Sequence, residues 1–133
     1  MRIIPTKIHG IINYVMGLLL IAAPWIFDFA RDGAETWVPV ILAISTILYS
    51  LLTNYELGIS GKISMKTHLA IDMVSGIFLA ASPWLFGFSE YVYLPHLILG
   101  LAEVGAVLLS KTQPEHFPGR TDSNRRRTTS HAV

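Results

Sequence analysis

The 133-residue chain has a formal charge of +1, 52% hydrophobic and 14% charged residues, and no cysteine. That length leaves room for one domain, and the missing thiols exclude disulfides and thiolate chemistry. With a mean hydropathy of +0.50 the composition lies outside the balance of soluble globular chains. Basic residues sit at segment ends without interleaved aromatics, so nucleic acid is not an expected partner.

The first apolar stretch, Ile8–Phe29, follows Arg2 and Lys7 in the manner of a signal peptide. A cut after Ala23 would place the large Ile21 where a small residue is needed and Pro24 directly behind the cut, so a mature helix is expected. His9, Asn13 and Gly17 are spaced by four; each step advances ~40° around a helix, so the trio forms one stripe. A polar and small stripe should face protein, because lipid offers no hydrogen bonds. Pro24 then bends or ends the helix, and Trp25 suits the headgroup zone.

A loop holding Asp28, Arg31, Asp32 and Glu35 leads to Trp37–Thr53, which carries no charge at all. Pro39 is expected in its first turn, where a missing donor matters little, and Pro39, Ala43, Thr46, Ser50 and Thr53 form a small-residue seam. The third stretch, Leu69–Phe88, opens on His68 and carries Asp72 and Gly76 at the same spacing of four, ending in Pro83 and Trp84. Tyr91 and Tyr93 add to the aromatic boundary. The fourth stretch, Tyr91–Ser110, has Pro95 near its start and a seam of His96, Gly100, Glu103, Val107 and Ser110. Each stretch approaches the ~20 residues needed to cross a ~30 Å hydrocarbon core. Residues 111–133 form a basic tail rich in Pro, Gly, Arg, Thr and Ser, expected to be disordered and cytoplasmic. Its Arg125–Arg127 cluster suits anionic lipid, whereas His116 and His131 are expected to be inert.

Shifting the sequence by 59 lays Lys7–Ala30 on Lys66–Ser89 with 11 of 24 positions identical, His, Gly, Pro and Trp among them. A shorter second loop then brings Pro39 opposite Pro95. The expectation is an all-α fold: a four-transmembrane-helix bundle spanning 1–110, made of two tandem helical hairpins at about 7–55 and 66–110. An even number of helices per unit makes the hairpins enter from one side, related by a pseudo-twofold axis along the membrane normal. Nine of the ten basic residues (Arg2, Lys7, Lys62, Lys66, Lys111, Arg120, Arg125, Arg126, Arg127) fall on one side and only Arg31 on the other. The excess places both termini in the cytoplasm.

A small residue followed by Pro-Trp, ending the first of two membrane helices and then repeated, occurs as Ala23-Pro24-Trp25 and Ser82-Pro83-Trp84. This pattern resembles the SPW-repeat family of small prokaryotic integral membrane proteins. The resemblance covers about 7–110 and implies a prokaryotic (inner) membrane protein of uncharacterised role; it brings no catalytic residue. Ala23 in place of serine argues that this hydroxyl is not chemically essential.

Ionisable side chains inside a bilayer need a reason to be there. Asp72 and Glu103 are the clear cases; His9, His68 and His96 lie nearer the surfaces. Counting ~1.5 Å per residue puts Asp72 about 18 Å below Trp84 and Glu103 about 12 Å into its helix from Pro95. If the two carboxyls meet across the bundle they would share a proton, leaving at least one neutral at pH 7. Asn13 occupies the position of Asp72 in the first repeat, so any proton path would be asymmetric. The repeat-related His9 and His68 could ligate a haem iron or a metal ion, or act as interfacial hydrogen-bonding groups. His68 would be oriented by Asp72 one turn on, His9 only by Asn13.

No phosphate loop, zinc-binding His-Glu pattern or nucleophile elbow is present, and the outer loops are too short to build a soluble active site. The favoured reading is a non-enzymatic structural or accessory membrane protein with no catalytic residue, metal or cofactor. It would have lipid as its solvent and could associate with itself or another membrane protein through its small-residue seams. The alternatives are a small transporter or proton conductor using Asp72 and Glu103, and a bis-histidine haem b protein using His9 and His68.

Overall fold

The computed structural model describes residues 1–113, so Arg120, Arg125–Arg127, His116 and His131 lie outside the described residues. Four helices follow one another: α1 Thr6–Ile26, α2 Ala34–Leu52, α3 Met65–Leu85 and α4 Leu94–Leu109. The sequence expectation of an all-helical bundle of two hairpins holds. α1 packs mainly on α2 and α3 on α4, α2 lies against α3, and α1 touches α4 only narrowly. In this cyclic order α1 and α3 are diagonal partners across the centre.

The first three helices begin before their apolar stretches do, because capping, not hydropathy, sets a helix start. Pro5 precedes α1 in extended conformation, and the Ser64 side chain accepts from Thr67 N at 3.2 Å ahead of α3. α4 is shorter than the expected Tyr91–Ser110: Tyr91 N and Val92 N are used in turn bonds to Phe88 O, 3.0 Å each, and the helix starts beside Pro95. Its 16 residues span about 24 Å, while α1, α2 and α3 are long and apolar enough to cross a membrane. Pro39 lies in the second turn of α2, not the first, since α2 already starts at Ala34.

Polarity is arranged inside out. His9, Asn13, Thr46, Ser50, His68, Asp72 and Glu103 are buried, while Val15, Leu18, Ile41, Leu48, Val74, Ile77, Ile98 and Leu101 are each more than half exposed. That surface would be untenable in water and suits lipid, whose tails solvate apolar side chains. Trp25, Trp37, Trp84, Tyr91 and Tyr93 are exposed around one end, where the Arg31 guanidinium stacks 3.4 Å from the Tyr91 ring centroid. Lys7, Lys62 and Lys66 are exposed at the other, histidine-bearing end.

All three glycines on the inward stripes and seams, Gly17, Gly76 and Gly100, allow close helix approach. A Cβ on Gly100 would lie 2.5 Å from Ala80 N and 2.6 Å from Gly76 O, so α3 and α4 touch backbone to backbone. Gly17 fits against Ile47 and the Ala43 carbonyl. The seam residues Pro39, Ala43, Thr46, Ser50 and Thr53 are therefore buried inside the chain, as are His96, Gly100, Glu103, Val107 and Ser110.

The internal symmetry reaches the backbone. Ile4 N bonds Leu109 O at 2.8 Å and Lys111 N bonds Ile4 O at 2.9 Å; in the other unit Ile63 N bonds Leu52 O at 2.9 Å and Asn54 N bonds Ile63 O at 2.7 Å. The segment ahead of each first helix thus pairs with the end of the other unit's second helix. These bonds relate Thr53 to Ser110, a shift of 57 and not the 56 implied by matching Pro39 with Pro95. In this register Pro39 corresponds to His96, Ala43 to Gly100, Thr46 to Glu103 and Ser50 to Val107, and all eight are buried.

The Pro-Trp turns match as well. Phe27 and Phe86 end their helices, Asp28 (φ 54°) and Gly87 (φ 74°) follow in left-handed conformation, and Phe29 N and Phe88 N return to Pro24 O (2.9 Å) and Pro83 O (2.8 Å). This is a Schellman-type end with proline as its acceptor, and it sends the chain back over the bundle.

Candidate functional site

The buried polar residues meet across the diagonal of the bundle near its histidine end. His9 comes from the first turn of α1, Asn13 from one turn further, His68 and Asp72 from the matching turns of α3, and Tyr49 and Thr53 from the end of α2. His9, Asn13, His68 and Asp72 are fully or almost fully buried.

The pairing crosses between the repeats. His9 Nε2 lies 2.8 Å from Asp72 Oδ2, and Asn13 Nδ2 lies 2.9 Å from His68 Nε2 and 3.0 Å from Asp72 Oδ2. His68 stands 3.2 Å from the same Asp72 oxygen. The expectation that Asp72, one turn on, orients His68 holds, whereas the expectation that His9 has only Asn13 is corrected, because His9 reaches Asp72 as well. Each histidine finds its main partner on the diagonal helix, because a twofold axis passing between α1 and α3 turns both stripes toward each other.

The other ring nitrogens fix the tautomers. His9 Nδ1 is 2.7 Å from Ser110 Oγ, and that hydroxyl donates to Ala106 O at 2.5 Å. His68 Nδ1 is 2.7 Å from Thr53 Oγ1, whose proton goes to Tyr49 O at 2.6 Å. Each hydroxyl has spent its one proton on a helix carbonyl, so it can only accept, and both Nδ1 atoms must donate. Both Nε2 atoms consequently face the centre. His68 Nε2 accepts from the Asn13 amide, whereas one proton has to sit on the contact between His9 Nε2 and Asp72 Oδ2.

Asp72 Oδ1 accepts from the Tyr49 hydroxyl, which also lies 3.2 Å from Thr46 Oγ1. His68 is further enclosed by the rings of His9, Tyr49 and Tyr55, with centroids 5.6, 5.1 and 5.7 Å away. Tyr49 and Tyr55 carried no sequence signal, since a tyrosine near a membrane helix end reads as interfacial. Thr53 and Ser110 were legible only as seam residues.

Asp72 and Glu103 do not form the carboxyl pair expected if they met. No hydrogen bond joins them, and among the described residues no ion pair reaches the buried Glu103. Above this level Leu20, Ala43 and Leu79 form a fully apolar layer, at most 2% exposed, that separates the polar centre from the tryptophan end.

His96 lies beyond that layer, between the repeat-related Phe29 and Phe88 rings at 5.0 and 4.9 Å. Its Nε2 donates to Glu35 O at 2.8 Å, leaving Nδ1 without a partner.

The arrangement does not suit axial haem ligation. That requires two Nε2 atoms on opposite faces of a porphyrin, whereas here both approach one carboxylate oxygen from rings 5.6 Å apart at 76°. What the three groups can do is hold protons, or a single small cation, between two membrane helices.

No curated protein and no solved structure matches the chain. Residues 7–110, covering both hairpins and both Pro-Trp turns, match the model of the SPW repeat domain. The chain is an integral membrane protein belonging to the SPW repeat family.

Proposed function

We propose that this is a non-enzymatic, structural or accessory protein of a prokaryotic inner membrane, with both termini and the loop between the repeats in the cytoplasm. One observation carries the reading: the buried polar groups close on one another around Asp72, and the Leu20–Ala43–Leu79 layer stands between them and the tryptophan end. A closed knot behind a dry layer fastens the diagonal helices together and offers no continuous polar route across the bilayer. The orientation is supported by the collection of Lys7, Lys62 and Lys66 at the histidine end and of Arg31 at the other.

Transport of protons or cations is the second reading, favoured by Glu103, a buried carboxyl at mid-helix without an ion-pair partner among the described residues. Purified protein in proteoliposomes separates the two. Under the structural reading, vesicles with protein dissipate a pH gradient no faster than empty ones, and Asp72→Leu lowers the unfolding temperature by several degrees. Rapid dissipation that collapses in Asp72→Asn or Glu103→Gln would establish transport instead. A reporter inserted beside Lys62 that reads out as periplasmic would refute the orientation.

A further inference from the structure

We propose that His9, His68 and Asp72 form a binding site for one divalent first-row transition cation of the Zn²⁺ class. This goes beyond the structural reading, which would stand unchanged if the protein bound no metal.

Three observations lead there. First, the ligand atoms converge: His9 Nε2, His68 Nε2 and Asp72 Oδ2 lie within 4.8 Å of one another, all on side chains with no exposed surface. The histidine–carboxylate distances of 2.8 and 3.2 Å compare with ~3.3 Å between donors around a tetrahedral ion at 2.0–2.1 Å, so both of these contacts already lie within about half an ångström of that spacing. Second, the outer nitrogens are prepared as they are in metal sites. Ser110 and Thr53 each take an Nδ1 proton and pass their own to a helix carbonyl, which leaves Nε2 as the atom offered inward. Tyr49 holds the second carboxylate oxygen and so orients the first. Third, two Nε2 atoms and a carboxylate oxygen share one point, an arrangement in which lone pairs repel unless something positive lies between them. A proton on the His9–Asp72 contact and the Asn13 amide, which donates to His68 Nε2 and Asp72 Oδ2, meet that need without a metal, and a metal ion would meet it for all three at once.

On binding, that proton leaves to solvent, three metal–ligand bonds form, and a half-turn of the Asn13 amide replaces its donor toward the site with its carbonyl oxygen as a fourth ligand. Imidazole and carboxylate donors without a thiolate favour zinc, cobalt, nickel or ferrous iron over the softer cuprous ion. A surface cleft of about 380 Å³ at the histidine end is walled by Leu69 and Met73, the chain neighbours of His68 and Asp72, together with Arg2 and Lys66.

The full-length protein in detergent micelles, titrated with Co²⁺ as a spectroscopic probe and then with Zn²⁺, provides the test. One Co²⁺ per chain should produce visible d–d bands of a low-coordinate nitrogen–oxygen site, removed by one equivalent of Zn²⁺. The bands should vanish in His68→Gln and in Asp72→Asn, and affinity should fall about 10–100-fold in Thr53→Ala, which keeps every ligand. A double change of His116 and His131 to alanine should leave them intact. Saturating Zn²⁺ should also raise the unfolding temperature of the unaltered chain. A folded protein that gives only the pale spectrum of aqueous cobalt and no Zn²⁺-dependent stabilisation overturns the proposal. Bands that survive His68→Gln, or that are lost with His116 and His131, overturn it equally.

Discussion

His96 donates through Nε2 to the carbonyl of Glu35, 2.8 Å away on α2, and Glu35 is the residue whose helical donor is missing because position 39 is proline. A histidine of the second hairpin thus completes a helix of the first. In the structural register His96 is also the residue that corresponds to Pro39, so the second repeat compensates for what the first lacks.

The two should therefore be coupled. His96→Phe leaves a buried carbonyl unpaired and should cost about 1–3 kcal/mol. In a Pro39→Ala background, where an amide is restored to that carbonyl, the same change should cost distinctly less. Thermal or denaturant unfolding of the four proteins in micelles gives the coupling energy, expected to be about 1 kcal/mol. Equal losses in both backgrounds would show that the histidine acts through its packing against Phe29 and Phe88 alone.

Asp72 should tolerate an amide far better than a hydrocarbon. Asn13 already serves His68 through its amide at 2.9 Å, so Asp72→Asn gives His9 an equivalent partner and should cost only about 1 kcal/mol. Asp72→Leu strands His9, Asn13 and Tyr49 together and should cost about 3 kcal/mol or more. Comparing the two unfolding free energies checks this; a leucine variant as stable as the asparagine one would mean that the knot contributes little to folding.

Gly100→Ala is expected to separate α3 from α4. The new methyl would meet backbone atoms of Ala80 and Gly76 at 2.5 and 2.6 Å, and backbone cannot rotate aside as a side chain can. A loss of about 1–3 kcal/mol is expected. Gly105→Ala on the same helix has open space around its Cβ and should be neutral or mildly stabilising.

The two Pro-Trp turns offer a paired experiment in backbone conformation. Asp28 and Gly87 occupy equivalent left-handed positions, and a Cβ at Gly87 would touch nothing. Gly87→Ala should lose about 1 kcal/mol from conformation alone, and Asp28→Gly should gain up to about 1 kcal/mol. Opposite signs in the two unfolding shifts are the expected result.

Much of this architecture is legible in the sequence, because a duplication prints itself as an offset and a bilayer requires long uncharged runs. The His9–Asn13–Gly17 and His68–Asp72–Gly76 stripes were readable as inward faces from spacing alone. What spacing within one helix does not encode is which stripe lies opposite which. The contacts of His9 with Asp72 and of His68 with Asn13 across the bundle follow from the position of the axis, a property of two helices together. Tyr49 was hidden for a similar reason, since its hydroxyl reaches Asp72 from a half-buried position on a neighbouring helix. Glu103 matched Asp72 in depth, yet no hydrogen bond joins the two, and a count of residues along a helix axis does not reveal which neighbours a side chain takes. The slip of one residue in aligning the second helices came from matching prolines that hold different places in their helices: Pro39 lies in the second turn and Pro95 at the first.

The backbone bonds that tie Ile4 to Ser110 and Ile63 to Thr53 bring the start of the first hairpin beside the close of the second, just as the inner loop joins the hairpins in the middle. All of these junctions lie at one end of the bundle. The succession of the hairpins along the gene is therefore interchangeable. A circular permutant opened within the loop around Ser60 and sealed between Lys111 and Ile3 should insert with the same handedness of threading and rebuild the same knot.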